Sequence, residues 1–216
     1  MPQKGKFIVL EGVDGSGIST QARLLSSWFE KNKETYGKTC FTKEPTEGPI
    51  GCLLRLVLTK RLKPLDEKVM ALLFAADRVD HLYAAGDGEQ REGVLSLLDK
   101  GINVVSDRYN LSSLSYQSRE VDLKWLRQIN SFAIKPDLTI LLMIPVQDSV
   151  ERRSKSRFQE EFYEREDYLR EIRRNYERIA HLLQTEGENI VLIDARGDIE
   201  TVFQEVCAAV MQLFTE

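Results

Sequence analysis

Residues 7–20 combine an apolar segment, a glycine-rich segment and the start of a helical pattern. Residues 7–10 (FIVL) are β-branched or large apolar residues, which suits a strand buried in a parallel sheet. From Ser19 onward the pattern predicts an amphipathic helix, whose apolar stripe contains Ala22, Leu25, Trp28 and Phe29. A buried strand that leads through glycines into a helix is the start of a β–α–β unit, so this stretch predicts an α/β fold.

The rest of the chain repeats this alternation. Further strands are predicted at residues 39–42, 102–106, 138–144 and 190–193. Helices are predicted at residues 53–58, 66–85, 89–100, 122–133, 164–184 and 198–214, and one more from about residue 146. Because every connection between strands contains a helix, we expect a doubly wound, five-stranded parallel sheet flanked by helices. Residues 1–216 are predicted to form a single domain, since no repeat or linker divides them.

Composition excludes several classes of protein. The net charge is −4 and acidic and basic residues are interspersed, which argues against a broad nucleic-acid surface and favours a small anionic partner. Three scattered cysteines (Cys40, Cys52 and Cys207) and two distant histidines argue against a disulfide framework or a zinc site. No apolar run is long enough to span a bilayer. We therefore expect a cytoplasmic protein that binds neither membranes nor nucleic acid.

The glycine-rich segment has the spacing of a phosphate-binding loop: Gly12, four residues, Gly17, one residue, then Ser19. In such a loop, backbone N–H groups and the helix N-terminus bind an anion, and Ser19 or Thr20 supplies a hydroxyl to Mg²⁺. The usual lysine is absent because position 18 is Ile18, and similar glycine turns also occur for structural reasons. The candidate nucleotide-binding residues are Gly12, Val13, Asp14, Gly15, Ser16, Gly17, Ile18, Ser19 and Thr20.

Two other segments carry charge in unexpected places. Residues 69–76 (VMALLFAA) predict a helix that is apolar nearly all round and therefore buried, but Asp77 and Arg78 follow directly. The pattern alone favours a helix that emerges into solvent there; the alternative is that Phe74 and Arg78, four residues apart on one face, contact a planar ligand. Residues 107–109 (DRY) follow a predicted strand at its carboxyl end, where ligands bind in open α/β sheets.

Taken together, the motifs resemble those of the thymidylate kinase family. The segments that carry the resemblance are EGVDGSGISTQ, TKEPTEGPIG, LLFAADRVDH and SDRYNLSSLSYQ, followed by PDLTILL, YEREDYLREIRRNYERIA and IDARGDIE. They cover essentially the whole chain in the family's order. The resemblance implies a P-loop nucleoside monophosphate kinase-like fold. It also implies a homodimer that transfers the γ-phosphoryl group of ATP to thymidine monophosphate (dTMP) with Mg²⁺.

The resemblance also implies roles for individual residues. Phe74 would stack on thymine and Arg78 would contact the base edge, with Ser113 facing the base, Tyr116 crowding the sugar and Gln117 nearby. Arg55 and Arg108 would hold the monophosphate, and Asp14 would contact the sugar 3′-hydroxyl. The catalytic residues would be Asp14, Arg108, Arg153 and Arg157. Asp107, with Ser19, would bind the magnesium ion or its water. Residues at about 153–163 would form a mobile lid carrying Arg153, Lys155 and Arg157, whereas the charge pattern alone favours a solvated helix face.

Three positions depart from the family pattern: Ile18, Lys43 in place of arginine, and Met143 in place of aspartate. Ile18 removes a cation, and losing one such electrostatic group typically costs ~10²–10³ in rate. A lid arginine or Lys43 would then supply the charge in an active kinase. Alternatively, the chain is a nucleotide-binding relative with little turnover, a kinase for another nucleoside monophosphate, or a chain in which Ile18 is a laboratory substitution.

Overall fold

The computed structural model describes residues 4–84, 92–149 and 166–215. It contains a sheet of five strands: β1 (Phe7–Gly12), β2 (Thr39–Lys43), β3 (Asn103–Asp107), β4 (Leu138–Met143) and β5 (Ile190–Asp194). All neighbouring strands are parallel and their order is β2-β3-β1-β4-β5. The chain therefore winds toward one edge and then toward the other, which confirms the predicted doubly wound, five-stranded sheet.

Helices cover both faces of the sheet. They are α1 (Ile18–Lys31), α2 (Lys33–Tyr36), α3 (Pro49–Leu58), α4 (Glu67–Tyr83), α5 (Val94–Asp99), α6 (Asn110–Gln117), α7 (Leu123–Ile129), α8 (Glu166–Thr185) and α9 (Ile199–Leu213). Residues 146–149 are also helical. Three of these helices are preceded by an N-cap aspartate whose carboxylate accepts a backbone N–H of the first turn, namely Asp66 (α4), Asp122 (α7) and Asp198 (α9).

The central strand β1 shows why the sheet is buried on both faces. Ile8 and Leu10 face the larger core, while Phe7 and Val9 face a second core on the opposite side. This alternation follows from the two-residue period of a strand. Because helices cover both faces, ligand-binding groups are left to the loops at the strand ends.

Helix α4 departs from its predicted burial in two ways. Val69 is 42 % exposed and Leu72 is 49 % exposed, so the prediction that this half of the helix is buried all round is wrong. In contrast, Asp77 and Arg78 are each only 1 % exposed, so the prediction that the helix emerges into solvent at Asp77 is also wrong. The physical reason is that both charged groups have hydrogen-bond partners within the protein, which lowers the cost of burying them.

Some element boundaries differ from those predicted. Helix α5 begins at Val94 in the described chain, and α7 ends at Ile129 rather than near residue 133. Helices α2 and α6 were not predicted; α6 (NLSSLSYQ) is rich in residues of modest helix propensity. The predicted lid at about 153–163 lies outside the described residues. No helix among residues 4–84, 92–149 and 166–215 is long and apolar enough to cross a membrane.

Candidate active site

The glycine-rich loop joins β1 to α1 at the carboxyl edge of the sheet. Gly12 has φ 154°, and a Cβ there would lie 2.5 Å from Ser16 Oγ and 2.7 Å from the Leu142 carbonyl oxygen. Gly17 is the N-cap of α1 with φ 99°, and no side chain caps the helix. The first N–H groups of α1 are therefore left for an anion, as the motif predicts.

A cavity of about 1160 Å³ opens beside this loop and gathers most of the predicted site. Eight of the nine predicted nucleotide-binding residues line it: Val13, Asp14, Gly15, Ser16, Gly17, Ile18, Ser19 and Thr20. Asp107 lines the same cavity, and so does every predicted substrate-binding residue: Asp14, Arg55, Phe74, Arg78, Arg108, Ser113, Tyr116 and Gln117. Residues more than 100 positions apart in the sequence thus face one space.

Four of the predicted residues need separate mention. Gly12 does not line the cavity; it lies behind the loop, where its carbonyl oxygen accepts a hydrogen bond from Arg108 Nη1 at 3.0 Å. The predicted lid residues Arg153 and Arg157, assigned a catalytic role, lie outside the described residues together with Lys155.

Ile18 packs as an apolar wall residue. It is 5 % exposed, belongs to the larger core, and also faces the cavity. Directly after it, Ser19 Oγ donates a hydrogen bond to Asp107 Oδ2 at 2.7 Å. The cavity wall therefore presents the Ser19 hydroxyl of the loop beside the Asp107 carboxylate of β3, with no positive charge at position 18.

Asp14 and Arg108 form an ion pair in the cavity wall, with 2.5 Å between Arg108 Nη2 and Asp14 Oδ1. The guanidinium carbon of Arg108 lies 5.5 Å from the centre of the Tyr116 ring. Arg108 also has φ 72°, an uncommon and strained conformation for a non-glycine residue, and such residues cluster at functional sites. The two predicted catalytic residues that the structure describes are therefore in direct contact.

Electrostatics keep Arg108 charged and Tyr116 neutral. Burial disfavours the guanidinium charge, but interactions with Tyr116, Asp14, Tyr176 and Asp107 outweigh it and raise the pKa of Arg108 well above its usual value. Burial, together with the nearby Asp14, raises the pKa of Tyr116 above its usual value. Tyr116 is thus a neutral hydroxyl at physiological pH, and its oxygen accepts a hydrogen bond from the Asp14 backbone N–H at 3.2 Å.

Arg55 and the loop after β2 form another part of the wall. Arg55 Nη1 donates to the Pro45 carbonyl oxygen at 2.5 Å, and Arg55 Nη2 donates to the carbonyl oxygen of Thr46. These bonds fix the plane of the guanidinium against the loop. A planar guanidinium fixed in this way suits the recognition of a phosphate.

Arg78 lies at the other end of the cavity within a buried polar network. Its Nη2 donates to Glu44 Oε2 at 2.7 Å and to Ser113 Oγ at 2.8 Å, and its Nη1 donates to Asn130 Oδ1. Its Nε is buried without a hydrogen-bond partner. The cation is therefore held by the protein through its two terminal nitrogens, and its Nε–H is unused.

The loop that carries Glu44 is attached to α4 by a second buried contact. Both carboxylate oxygens of Asp77 accept hydrogen bonds from Thr46, from its N–H at 2.7 Å and from its hydroxyl at 2.6 Å. Sequence reasoning missed Glu44, Asp77 and Asn130 as site-forming residues. The one signal for Asp77 was its charge within a helix that was otherwise expected to be buried.

Gln117 has an unusual environment for a buried amide. It is 4 % exposed and lines the cavity, yet neither its Oε1 nor its Nε2 has a hydrogen-bond partner. An unsatisfied buried polar group costs ~1–3 kcal/mol. A ligand that offers both a donor and an acceptor would satisfy it.

The cavity continues to the carboxyl end of β5, which sequence reasoning did not include in the site. Residues from the β5–α9 connection line it there: Ala195, Gly197, Asp198, Ile199, Glu200 and Val202. The rule that ligands bind at the carboxyl ends of parallel strands could have indicated this connection.

The glycine-rich loop lies at the edge of a doubly wound sheet and shares its cavity with buried cationic and aromatic groups. This arrangement is that of a nucleotide-binding kinase of the P-loop class. Comparison with known proteins agrees with this class. The family model described as thymidylate kinase matches residues 10–206. The chain belongs to the thymidylate kinase family.

Curated relatives extend the same similarity over the whole chain. The protein named "Probable thymidylate kinase" in Pyrococcus abyssi is 40 % identical over 212 residues, which cover 96 % of each chain. The protein of the same name in Thermococcus kodakarensis is 39 % identical over 218 residues, or 97 % of this chain and 99 % of that one. One in Methanocaldococcus jannaschii is 32 % identical and covers 93 % of both.

Proposed function

We propose that this protein transfers the γ-phosphoryl group of ATP to dTMP, as its family membership indicates. The observation that carries the proposal is the shared cavity, in which the phosphate loop and the Arg78–Gln117 pocket face the same space. Phosphoryl transfer depends mainly on holding two substrates in line and neutralising charge. A cavity with an anion site at one end and a polar, aromatic pocket at the other suits that task.

ATP and Mg²⁺ fit the residues at the donor end. Ser19 Oγ and Asp107 Oδ2 are hard oxygen ligands, and Mg²⁺ typically uses one or two protein oxygens together with substrate phosphates. No group of three or more His, Cys, Asp or Glu side chains that could hold a metal by itself occurs in the described ranges. Mg²⁺ would thus be held by Ser19, Asp107 and the phosphates, whose charge it would neutralise. The β5–α9 connection is our candidate for the adenine end.

The acceptor end has the groups that a thymine nucleotide requires. Phe74 is half-buried and lines the cavity, so its ring is available for stacking. Gln117 offers an unused donor and acceptor, and Arg78 holds Ser113 in place. We assign the monophosphate to Arg55 and Arg108, the sugar 3′-hydroxyl to Asp14, and exclusion of a ribose 2′-hydroxyl to Tyr116.

Lys43 is our candidate for the cation that Ile18 does not supply. It lines the cavity, and in the parallel pairing of β2 with β3 it lies opposite Asp107. Its ammonium pairs with Glu47 at 3.0 Å, with side chains 51 % and 77 % exposed. An exposed pair is worth under ~1 kcal/mol, so exchanging Glu47 for a phosphate costs little. Arg153 and Arg157 of the predicted lid remain the alternative.

A second copy of this chain is the partner that we propose for the exposed face of α3 and α4. Apolar side chains lie along it with more than a third of their surface exposed: Leu53, Leu56, Val69, Leu72, Val79 and Tyr83. Contiguous apolar patches on a protein surface mark interaction sites. A homodimer built on this face predicts that Leu72→Glu gives a monomer in sedimentation analysis, whereas Leu192→Glu, an exposed leucine on β5, does not. We also propose that the protein is located in the cytoplasm.

The deciding experiment is a coupled assay of ADP release with dTMP, dUMP, dCMP and AMP, each with and without Mg²⁺. We expect the fastest turnover with dTMP and a requirement for Mg²⁺. Faster turnover with dCMP or AMP would instead indicate a kinase for another nucleotide. Binding of dTMP without ADP release would indicate a nucleotide-binding relative, which the uncharged Ile18 makes the second candidate.

A further inference from the structure

Glu11 occupies an unusual position for a carboxylate, because it lies inside the protein at the end of the central strand. It is 0 % exposed and directly precedes Gly12 of the phosphate loop. Neither the sequence motifs nor the proposed mechanism gives it a role. A fully buried carboxylate is costly unless it is well hydrogen-bonded, so its partners indicate what it does.

One carboxylate oxygen of Glu11 acts as the missing cap of helix α6. Oε1 accepts the backbone N–H of Tyr109 at 2.9 Å and that of Ser112 at 3.1 Å. The N-cap residue of α6, Tyr109, supplies no side-chain cap of its own. An acceptor from 98 positions away therefore satisfies two N–H groups at the start of the helix that carries Ser113, Tyr116 and Gln117.

The other oxygen of Glu11 controls the orientation of two hydroxyl groups. Oε2 accepts the Ser112 hydroxyl at 2.5 Å and lies 3.3 Å from the Tyr176 hydroxyl oxygen, which is only 2.7 Å from Ser112 Oγ. Because Ser112 gives its one proton to Glu11, the Tyr176 hydroxyl donates to Ser112 at this shorter distance. The same two hydroxyl oxygens accept hydrogen bonds from Arg108 Nη1, at 3.1 Å and 3.3 Å. A hydroxyl has one proton and two lone pairs, so Ser112, which donates to Glu11, keeps one lone pair for Tyr176 and one for Arg108.

The protonation state of Glu11 therefore decides how well Arg108 is held. An ionised Glu11 only accepts, which leaves the Ser112 and Tyr176 oxygens free to accept from Arg108. A protonated Glu11 donates to Ser112 Oγ, whose two lone pairs then have three donors, namely Glu11, Tyr176 and Arg108, so Glu11 competes with Arg108. Because Arg108 contacts both Gly12 and Asp14, a change in its orientation is transmitted to the phosphate loop and the acceptor pocket.

We propose that Glu11 is a positioning residue whose ionised form aligns Arg108 and helix α6 for the binding of the acceptor nucleotide. This inference rests on the proposed function, since dTMP is the nucleotide concerned. Its consequence is that dTMP affinity rises with pH across neutrality.

The charged and titratable groups around Glu11 agree with such a change. Burial raises the pKa of Glu11 to about 7, against the opposing effects of Ser112, Arg108 and Tyr109. Arg108 faces it from the β3–α6 connection and Tyr176 from α8, and Asp14, Asp107 and Tyr116 act on it through Arg108. Burial raises the pKa of Tyr176 and Tyr116, so both stay neutral.

The test is calorimetric titration of dTMP into Glu11→Gln and the native protein between pH 6 and pH 8.5, without ATP. The glutamine oxygen can still accept both backbone N–H groups, and its NH₂ group mimics protonated Glu11. We expect Glu11→Gln to bind dTMP about tenfold more weakly than the native protein at pH 8 and about equally well at pH 6. The second pKa of the phosphate, about 6, affects both proteins alike, so their ratio isolates Glu11.

Two further variants separate positioning from folding. Glu188→Gln replaces another carboxylate with a burial-raised pKa, at the opposite edge of the sheet, and should match the native protein at every pH. Ser112→Ala keeps both backbone bonds to Glu11 but removes one hydroxyl between Glu11 and Arg108, and should also weaken binding at pH 8. If Glu11→Gln does not fold, the Ser112→Ala protein and the native pH profile carry the test.

The possible outcomes are distinguishable. Equal affinity of Glu11→Gln and the native protein at pH 8, or an unchanged ratio between pH 6 and pH 8.5, overturns the inference. Absence of dTMP binding by the native protein at every pH would instead overturn the proposed acceptor and remove the basis of the inference with it.

Discussion

The two ends of the cavity hold their functional groups by different means. At the donor end, the glycine loop relies on backbone geometry, and the side chain at position 18 is an apolar part of the core. At the acceptor end, buried charged groups hold one another, as in the Glu44–Arg78 pair, whose side chains are 4 % and 1 % exposed. The donor end can therefore lose a charged side chain without leaving a buried partner unpaired, whereas the acceptor end cannot.

The largest effect that we expect is from Arg78→Ala, which tests this contrast at the acceptor end. Removing Arg78 leaves the buried Glu44 carboxylate without its cation, and breaking a buried pair typically costs ~3–5 kcal/mol. Urea denaturation measures the loss. The control is Arg119→Ala, which removes an exposed pair with Glu171 and should cost under ~1 kcal/mol. Equal losses for the two variants would show that the acceptor network is not stabilised by its buried charges.

Glu11 lies between the two ends, and its ionisation should make stability depend on pH. Burial raises the pKa of Glu11 from 4.5 to about 7 in the folded protein. Between these two pH values, Glu11 therefore takes up a proton when the protein folds. The contribution of Glu11 to the free energy of unfolding is therefore fully present below about pH 4.5 and is lost as the pH rises through 7. We expect the stability of the native protein relative to Glu11→Gln to fall by roughly 2–3 kcal/mol between pH 5 and pH 8. A difference independent of pH, measured by urea denaturation, would contradict this.

At the donor end, Gly12→Ala tests whether backbone geometry alone forms the anion site. A Cβ at Gly12 would collide with Ser16 Oγ and with the Leu142 carbonyl oxygen. Displacing the loop by about 1 Å should lower ATP-dependent turnover by ~10². Gly187→Ala is the matched control, since Gly187 also has a positive φ but no atoms lie within 4 Å of its Cβ position. Similar losses of turnover in both variants would attribute the effect to general strain.

Lys43→Ala should have the smallest effect and shows whether the donor end has a substitute cation. We expect turnover to fall about tenfold and Ile18→Lys to restore part of it in the same chain. Lys33→Ala, which removes an exposed pair with Glu30, is the control and should match the native protein. A rise of ~10²–10³ from Ile18→Lys alone would mean that the native donor end lacks any effective cation and that the chain is a nucleotide-binding relative.

The two ends also differ in how far they could be predicted. The glycine loop is local in sequence, so its spacing identified the loop residues that line the cavity, except for Gly12. The acceptor pocket joins residues from the loop after β2, from α4, from α6 and from the end of α7. The pattern of α4 alone led to the wrong conclusion at Asp77 and Arg78. Their buried partners, Thr46, Glu44 and Asn130, lie 31 to 52 positions away, so no local pattern contains them.

The sequence by itself determined the parallel α/β class, the phosphate loop and the family, because strand and helix periodicity and motif spacing are local properties. Only the tertiary structure decided that Asp77 and Arg78 are buried, that one face of α4 is exposed, and that the β5–α9 connection lines the cavity. It also brought Glu11 to Ser112 and Tyr176. The physical reason is that the cost of burying a charge depends on the partners that folding brings to it, and these partners are distant in sequence.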